Sequence, residues 1–325
     1  MEHHNPINYN TALTRADGYY GSFVAIVTPF DGDLNVNFEK LTELVEWQIA
    51  EGSSGIVACG TTGEASTLDD DERLAVVAHV VKVVNKRIPV VAGTGSNNSR
   101  HSLHLSLSAE KEGADGLLLI TPYYNKSNDE GLYRHFKLVA DAVHIPIIVY
   151  NIPGRTGLNI PVPTLKRLAQ IENIVAIKEA GGNLDYVLKI AKEAPNLAIL
   201  SGNDSQVIPI MSVGGRGVIS TSANVFPNAM AAMCDAFAQG NTREAARLQV
   251  LYANVIESLF LEVNPIPVKA AMNLLGWNVG GYRLPLYPMS EKNRTVLEEE
   301  LRKAGVCKME KRNNLTGKRY ENKNK

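Results

Sequence analysis

Eight short apolar runs, each closed by glycine, proline, asparagine or threonine, recur along this chain and leave few folds open to it. They are FVAIVTPF from Phe23, GIVACG from Gly55, PVVAGTG from Pro89, GLLLITPYY from Gly116, PIIVYNIP from Pro146, IVAIKEA from Ile174, LAILSG from Leu197 and GVISTSAN from Gly217. Their length and β-branched content read as strands. Amphipathic stretches with helical spacing lie between them. One of these, DDDERLAVVAHVVKVVNKR, opens on acids and closes on bases, as the helix macrodipole favours. Continuous apolar strands alternating with helices predict a parallel sheet covered by helices. Eight units at roughly 25–30-residue intervals predict an α/β fold of the closed (β/α)₈ kind, a TIM barrel. An open doubly wound sheet would carry a glycine-rich dinucleotide turn after its first strand, where this chain reads TPFDGDL.

The chain is longer than such a barrel needs, at 325 residues. The catalytic barrel is expected over residues 19–241, with a C-terminal helical appendage of two or three helices over 242–305. A flexible extension is expected over 1–18, and a disordered or appended tail over 306–325. From Lys308 to Lys325 there are seven Lys/Arg and two Glu, so a net charge of −1 leaves −6 on the remainder. That balance gives no footprint for a nucleic-acid partner. Cys59, Cys234 and Cys307 form no C-x-x-C pair, which fits a reducing compartment and no structural zinc. His3 and His4 sit in a polar terminus that cannot hold metal ligands in place. With neither a signal-like apolar segment nor a stretch approaching the roughly 20 apolar residues of a membrane span, a cytoplasmic protein is expected.

In a barrel of this kind chemistry collects where the strands end. Lys178 lies inside the apolar run IVAIKEA, with Ile174 and Ala176 expected on its own face. Desolvation lowers the pKa of such an amine and frees it to attack a carbonyl; a lone lysine so placed more often snorkels to water or pairs with Glu179, and the residues at neighbouring strand ends reverse that preference. Tyr150 ends the fifth run, and a phenol beside an amine can move protons at the carbinolamine and enamine stages. Thr61 and Thr62, in GTTGE, offer hydroxyls and backbone N–H groups to a carboxylate. Arg155, in PGRTG, offers a guanidinium for a second one. Tyr123 and Tyr124 cannot both point into one barrel, so one is expected to face a neighbouring subunit. SVGGRGV precedes the eighth strand, on the opposite face, and the seven histidines form no metal-binding pattern, so no metal or phosphate site is indicated.

These segments, with TPYYNKSNDEGLYRHF, YNIPGRTG, LSGND and NPIPVKAAMNLLG, resemble dihydrodipicolinate synthase (4-hydroxy-tetrahydrodipicolinate synthase), within the pyruvate-dependent class I aldolases that include N-acetylneuraminate lyase. The resemblance runs from about Gly21 to about Gly305. It implies that Lys178 forms a Schiff base with pyruvate and that no separate cofactor is needed. Tyr150, Thr61 and Tyr124 would form a proton relay, Tyr124 reaching across a dimer interface within a homotetramer. Thr62 would bind the pyruvate carboxylate, Gly202 and Ile219 would line the pocket through backbone groups, and Arg155 would hold the carboxylate of aspartate 4-semialdehyde. GTTGE with PGRTG points to the synthase; neuraminate lyases typically read GSTGE and lack the arginine. Other readings are a 2-keto-3-deoxy sugar acid lyase, which would share Lys178 and Tyr150, and a barrel that has lost catalysis and serves binding or regulation.

Two departures from the family pattern stand out. KEAGG replaces the commoner KEASG, leaving Gly181 without a hydroxyl. His101 stands where lysine-inhibited relatives carry an acid, and Asp70 and Arg73 where they often carry histidines, so feedback inhibition by lysine is expected to be weak or absent.

Overall fold

The apolar runs that close on glycine or a hydroxyl residue become eight parallel strands: β1 (Gly21–Ala25), β2 (Gly55–Ala58), β3 (Val90–Gly93), β4 (Gly116–Ile120), β5 (Ile147–Asn151), β6 (Ile174–Glu179), β7 (Ala198–Ser201) and β8 (Gly217–Ser220). In the computed structural model, which describes residues 18–306, they hydrogen-bond in sequence order and β8 returns to β1, closing the barrel. Residues 1–17 of the extension expected over 1–18, with His3, His4, Cys307 and the basic tail, lie outside the described residues. The outer layer is α1 (Phe38–Ala50), α2 (Asp70–Val84), α3 (Ser99–Lys111), α4 (Asp129–Ala140), α5 (Val162–Leu168), α6 (Leu184–Glu193), α7 (Val207–Met211) and α8 (Pro227–Ala238).

Local chemistry fixes where these helices start. Side chains of Asn37, Asn98, Asn128 and Asn183 accept hydrogen bonds from first-turn N–H groups of α1, α3, α4 and α6. Asp69 and Glu72 close a reciprocal capping box on α2.

Because every strand is covered on both faces, two apolar clusters result. Phe23, Val57, Val91, Leu118, Ile148 and Ile219 fill the barrel interior. Val24, Ile56, Leu117 and Val149 pack outward against Leu41, Val76 and Phe136 of the helices. One expectation about the interior fails. Ile174 belongs to the outer cluster, whereas Val175 and Ala176 both face inward. The cause is a register shift between β5 and β6: Ile147 pairs with Ile174, but Ile148 pairs with Ala176. The extra residue inverts the alternation, so Lys178 shares its face with Ala176 and not with Ile174.

Beyond α8 the appendage holds four helices among the described residues, one or two more than the periodicity suggests: α9 (Thr242–Leu251), α10 (Ala253–Ser258), α11 (Ile266–Leu274) and α12 (Glu291–Lys303). Tyr252 stacks on Phe226 of the α8 N-terminus, ring centroids 4.9 Å apart, and separates α9 from α10. The segment after α11 crosses to the barrel mouth, where Arg283 donates to both carboxylate oxygens of Glu72 at 2.6 Å and to the Leu34 carbonyl. Among the described residues no helix is long and apolar enough to cross a membrane, and no group of three or more His, Cys, Asp or Glu could hold a metal ion.

Candidate active site

The register that closes β5 on β6 sets Tyr150 opposite Lys178, both at the strand ends. Lys178 is buried and its Nζ lies 4.5 Å from the centre of the Tyr150 ring. Burial disfavours the ammonium and pulls its pKa to about 8; the carboxylate of Asp204 pushes back, while the Arg155 guanidinium adds to the lowering. Tyr150 is also buried, and desolvation pushes its phenol up to about 12, against Arg155 and a hydrogen bond with the Thr61 side chain. The arrangement holds a weakly basic amine beside a phenol that stays protonated at neutral pH.

A cavity of about 270 Å³ opens beside Tyr150, lined by Thr61, Tyr123, Tyr150 and Arg155. Lys178 is not itself part of that lining; it lies against the Tyr150 ring, which is. Thr62 is buried beside the cavity residues, its hydroxyl 3.3 Å from that of Thr221 and accepting from Asn264 Nδ2 at 2.9 Å. Arg155 sits on a single helical turn, Pro153–Thr156, after β5 and donates from Nη2 to the Asn264 carbonyl at 3.1 Å. Ile219 lies in the barrel interior on β8. Gly202 donates its N–H to the Glu179 carbonyl at 2.7 Å, and a Cβ there would meet that of Ala180 at 2.6 Å, so only glycine lets β6 and β7 approach this closely.

Lys178, Tyr150, Thr61, Thr62 and Arg155 thus gather at one mouth of the barrel. Tyr124 does not join them within the chain. It is 91% exposed, with a left-handed φ of +69°, while Tyr123 turns into the cavity. A bulky residue held at positive φ with its ring in solvent marks a constrained position.

Three contributors escaped the sequence reading. Asp204 is buried, accepts the backbone N–H groups of Thr221 and Ser222, and faces Lys178 electrostatically. Thr221 touches Thr62. Asn264, in the appendage, joins Thr62 to Arg155. Asp204 and Thr221 had a local signal, since each follows a strand end, in SGND and TSAN; Asn264 had none. The departure at Gly181 also has a reason: its N–H is capped by Glu179 Oε1 at 2.6 Å, and a Cβ would press on that same oxygen.

A closed (β/α)₈ barrel with a buried, pKa-lowered lysine beside a tyrosine at its strand ends defines an enzyme of the class I aldolase type. Residues 19–304 match the model of the dihydrodipicolinate synthetase family, and the chain belongs to that family. The 4-hydroxy-tetrahydrodipicolinate synthase of Acetivibrio thermocellus is 51% identical over 289 residues, covering 89% of this chain and 98% of that one. Among solved structures, dihydrodipicolinate synthase from Aquifex aeolicus superposes with a TM-score of 0.87 at 43% identity, covering 89% of this chain and 99% of that one. The chloride-inhibited synthase from Acinetobacter baumannii, complexed with pyruvate, gives 0.86 at 45% identity, covering 88% and 99%.

Proposed function

We infer that this chain catalyses the 4-hydroxy-tetrahydrodipicolinate synthase reaction, the condensation of pyruvate with aspartate 4-semialdehyde on the route to lysine and diaminopimelate. The observation that carries the reading is the buried Lys178 amine, held against Tyr150 with the Arg155 guanidinium at the same cavity. Neutral Lys178 Nζ attacks C2 of pyruvate, and the carbonyl electron pair moves to oxygen, which takes a proton through Tyr150 and Thr61. Loss of water gives the iminium, and loss of a C3 proton gives the enamine. That C3 attacks the aldehyde carbon of the second substrate. The substrate's amino group then displaces Nζ from C2, closing the ring and freeing the lysine. One water leaves per turnover, and no cofactor is required. Thr62 with its neighbouring N–H groups holds the pyruvate carboxylate, backbone groups of Gly202 and Ile219 line the pocket, and Arg155 holds the carboxylate of the semialdehyde.

The active form in this reading is a cytoplasmic homotetramer in which Tyr124 of one subunit completes the proton relay of another. What supports this is a tyrosine 91% exposed at positive φ on the loop beside the cavity.

Borohydride reduction in the presence of pyruvate, followed by peptide mapping, tests the reading. A pyruvyl adduct is expected on Lys178, and an adduct elsewhere, or none, rejects it. At pH 7 an amine with a pKa of about 8 is unprotonated in roughly one molecule in ten, against about three in ten thousand at the ordinary 10.5. Adduct formation should therefore rise with pH and level off above about 8. A rate still climbing past pH 10 would show that the lysine is not desolvated.

Lysine is expected to inhibit weakly or not at all. His101 Nε2 lies 2.8 and 2.9 Å from the two carboxylate oxygens of Asp70, and its Nδ1 lies 3.2 Å from Ser96 Oγ. Arg73 is buried and donates from Nη2 to the Gly93 carbonyl at 2.8 Å. The Asp70 carboxylate is engaged by the imidazole, and His101 offers no acid to an incoming amine. Half-loss of activity below about 1 mM lysine, a binding free energy beyond about −4 kcal/mol, would overturn this expectation.

A further inference from the structure

The most deeply buried ion pair among the described residues lies outside the cavity. Lys269, on α11 of the appendage, and Glu64, at the end of the GTTGE turn, have no exposed side-chain surface, and Nζ meets Oε1 at 2.7 Å. The ammonium also donates to the Thr28 carbonyl at 3.2 Å and lies 4.2 Å from the centre of the Phe30 ring. The second carboxylate oxygen of Glu64 accepts the Arg283 backbone N–H at 3.4 Å.

Such a pair is a poor means of gaining stability. Desolvating two charges offsets most of their attraction, and apolar residues of similar size often serve as well. What the pair does fix is the position of one turn. Glu64 is three residues beyond Thr61 and donates its N–H to the Thr61 carbonyl at 3.1 Å. Its backbone is left-handed, at φ 55° and ψ 33°, a conformation a non-glycine residue adopts only under constraint. The turn is pinned at several points: Thr28 Oγ1 donates to the Gly63 carbonyl at 2.6 Å, Lys269 and the Arg283 N–H hold Glu64, and Asn264 and Thr221 meet the Thr62 hydroxyl at 2.9 and 3.3 Å. Asn264 and Lys269, both in the appendage, stand five residues apart. The same Asn264 receives Arg155 through its carbonyl.

We propose that the Lys269–Glu64 pair is a positioning device by which the C-terminal appendage sets the Thr61–Thr62 turn for the pyruvate carboxylate. The inference rests on the function proposed above. Neither residue touches substrate in this scheme; each acts through the turn. The appendage is then a working part of the active site, and the pair governs affinity for pyruvate more than for the aldehyde, whose carboxylate is held by Arg155.

The test is a double variant, Glu64→Gln with Lys269→Met, which removes both charges and nearly keeps their volume. Its Tm should stay within a few degrees of wild type, while KM for pyruvate rises about tenfold and KM for aspartate semialdehyde stays within about twofold. Glu64→Asp keeps both charges but shortens the link by one methylene, and it too should raise KM for pyruvate. Either variant folded with the wild-type KM for pyruvate overturns the proposal. Failure of both to fold makes the pair a determinant of folding alone and overturns it as well. Borohydride trapping on the wild type keeps the two levels apart. No pyruvyl adduct on Lys178 defeats the proposed function, whereas a normal adduct with an unchanged variant KM defeats only the positioning role.

Discussion

Exchange of Lys178 for methionine is expected to lower kcat by about 10⁴-fold or more, roughly 5.5 kcal/mol of barrier, while leaving the protein as stable as before or more so. The loss follows from removal of the one atom that forms the covalent intermediate. The gain follows from the burial of the amine. Its pKa is ordinarily 10.5 and falls to about 8 in the folded chain, so the folded state disfavours the ammonium by about 3 kcal/mol at any pH below 8. Between about 8 and 10.5 the unfolded chain still binds this proton while the folded one has released it. Wild-type stability should therefore rise with pH across that window, and the methionine variant should lack this contribution. Thermal melts of both proteins at pH 7 and pH 9.5, beside a turnover assay, measure all of it. A variant within tenfold of wild-type activity would remove Lys178 from the mechanism.

Arg155→Ala is expected to separate the two substrates. A carboxylate held by two charge-assisted hydrogen bonds loses about 3 kcal/mol when the guanidinium goes, so kcat/KM for aspartate semialdehyde should fall roughly 100-fold or more. Pyruvyl adduct formation should persist. Its pH profile should move upward, because Arg155 is one of the groups that lower the pKa of Lys178. The fold should be little affected, since Arg155 is exposed and its side chain donates to one backbone carbonyl, that of Asn264. Little change with the semialdehyde would return the chain to the broader group of pyruvate aldolases that accept other aldehydes. Loss of the adduct would instead place the arginine at the pyruvate end.

Much of the architecture was legible because each strand is apolar on both faces and each loop after it is not. Lys178, Tyr150, Thr61 and Arg155 are legible as one group because all four stand at or just beyond strand ends. What was illegible has physical causes. The β6 register shift is set by pairing with β5, and no pattern within IVAIKEA shows that Val175 and Ala176 both face inward. The break at Tyr252 coincides with its stacking on Phe226, the residue just before α8 and distant in sequence. Asn264 and Lys269 reach their partners in the GTTGE turn across 202 and 205 residues, a separation at which periodicity carries no information.

That same separation has a consequence for the chain while it is being made. Thr62 and Glu64 leave the ribosome about 200 residues before their partners, and at roughly 5–20 residues per second the wait is about 10–40 s. Until α11 is made, Glu64 has no ammonium partner, and the turn has its Thr28 contact but not those from Asn264 and Lys269. In the positioning role proposed above, the chain gains its full affinity for pyruvate late in synthesis, once α11 docks. A product arrested before α11 would carry Lys178 and the GTTGE turn without the Lys269 contact that pins it.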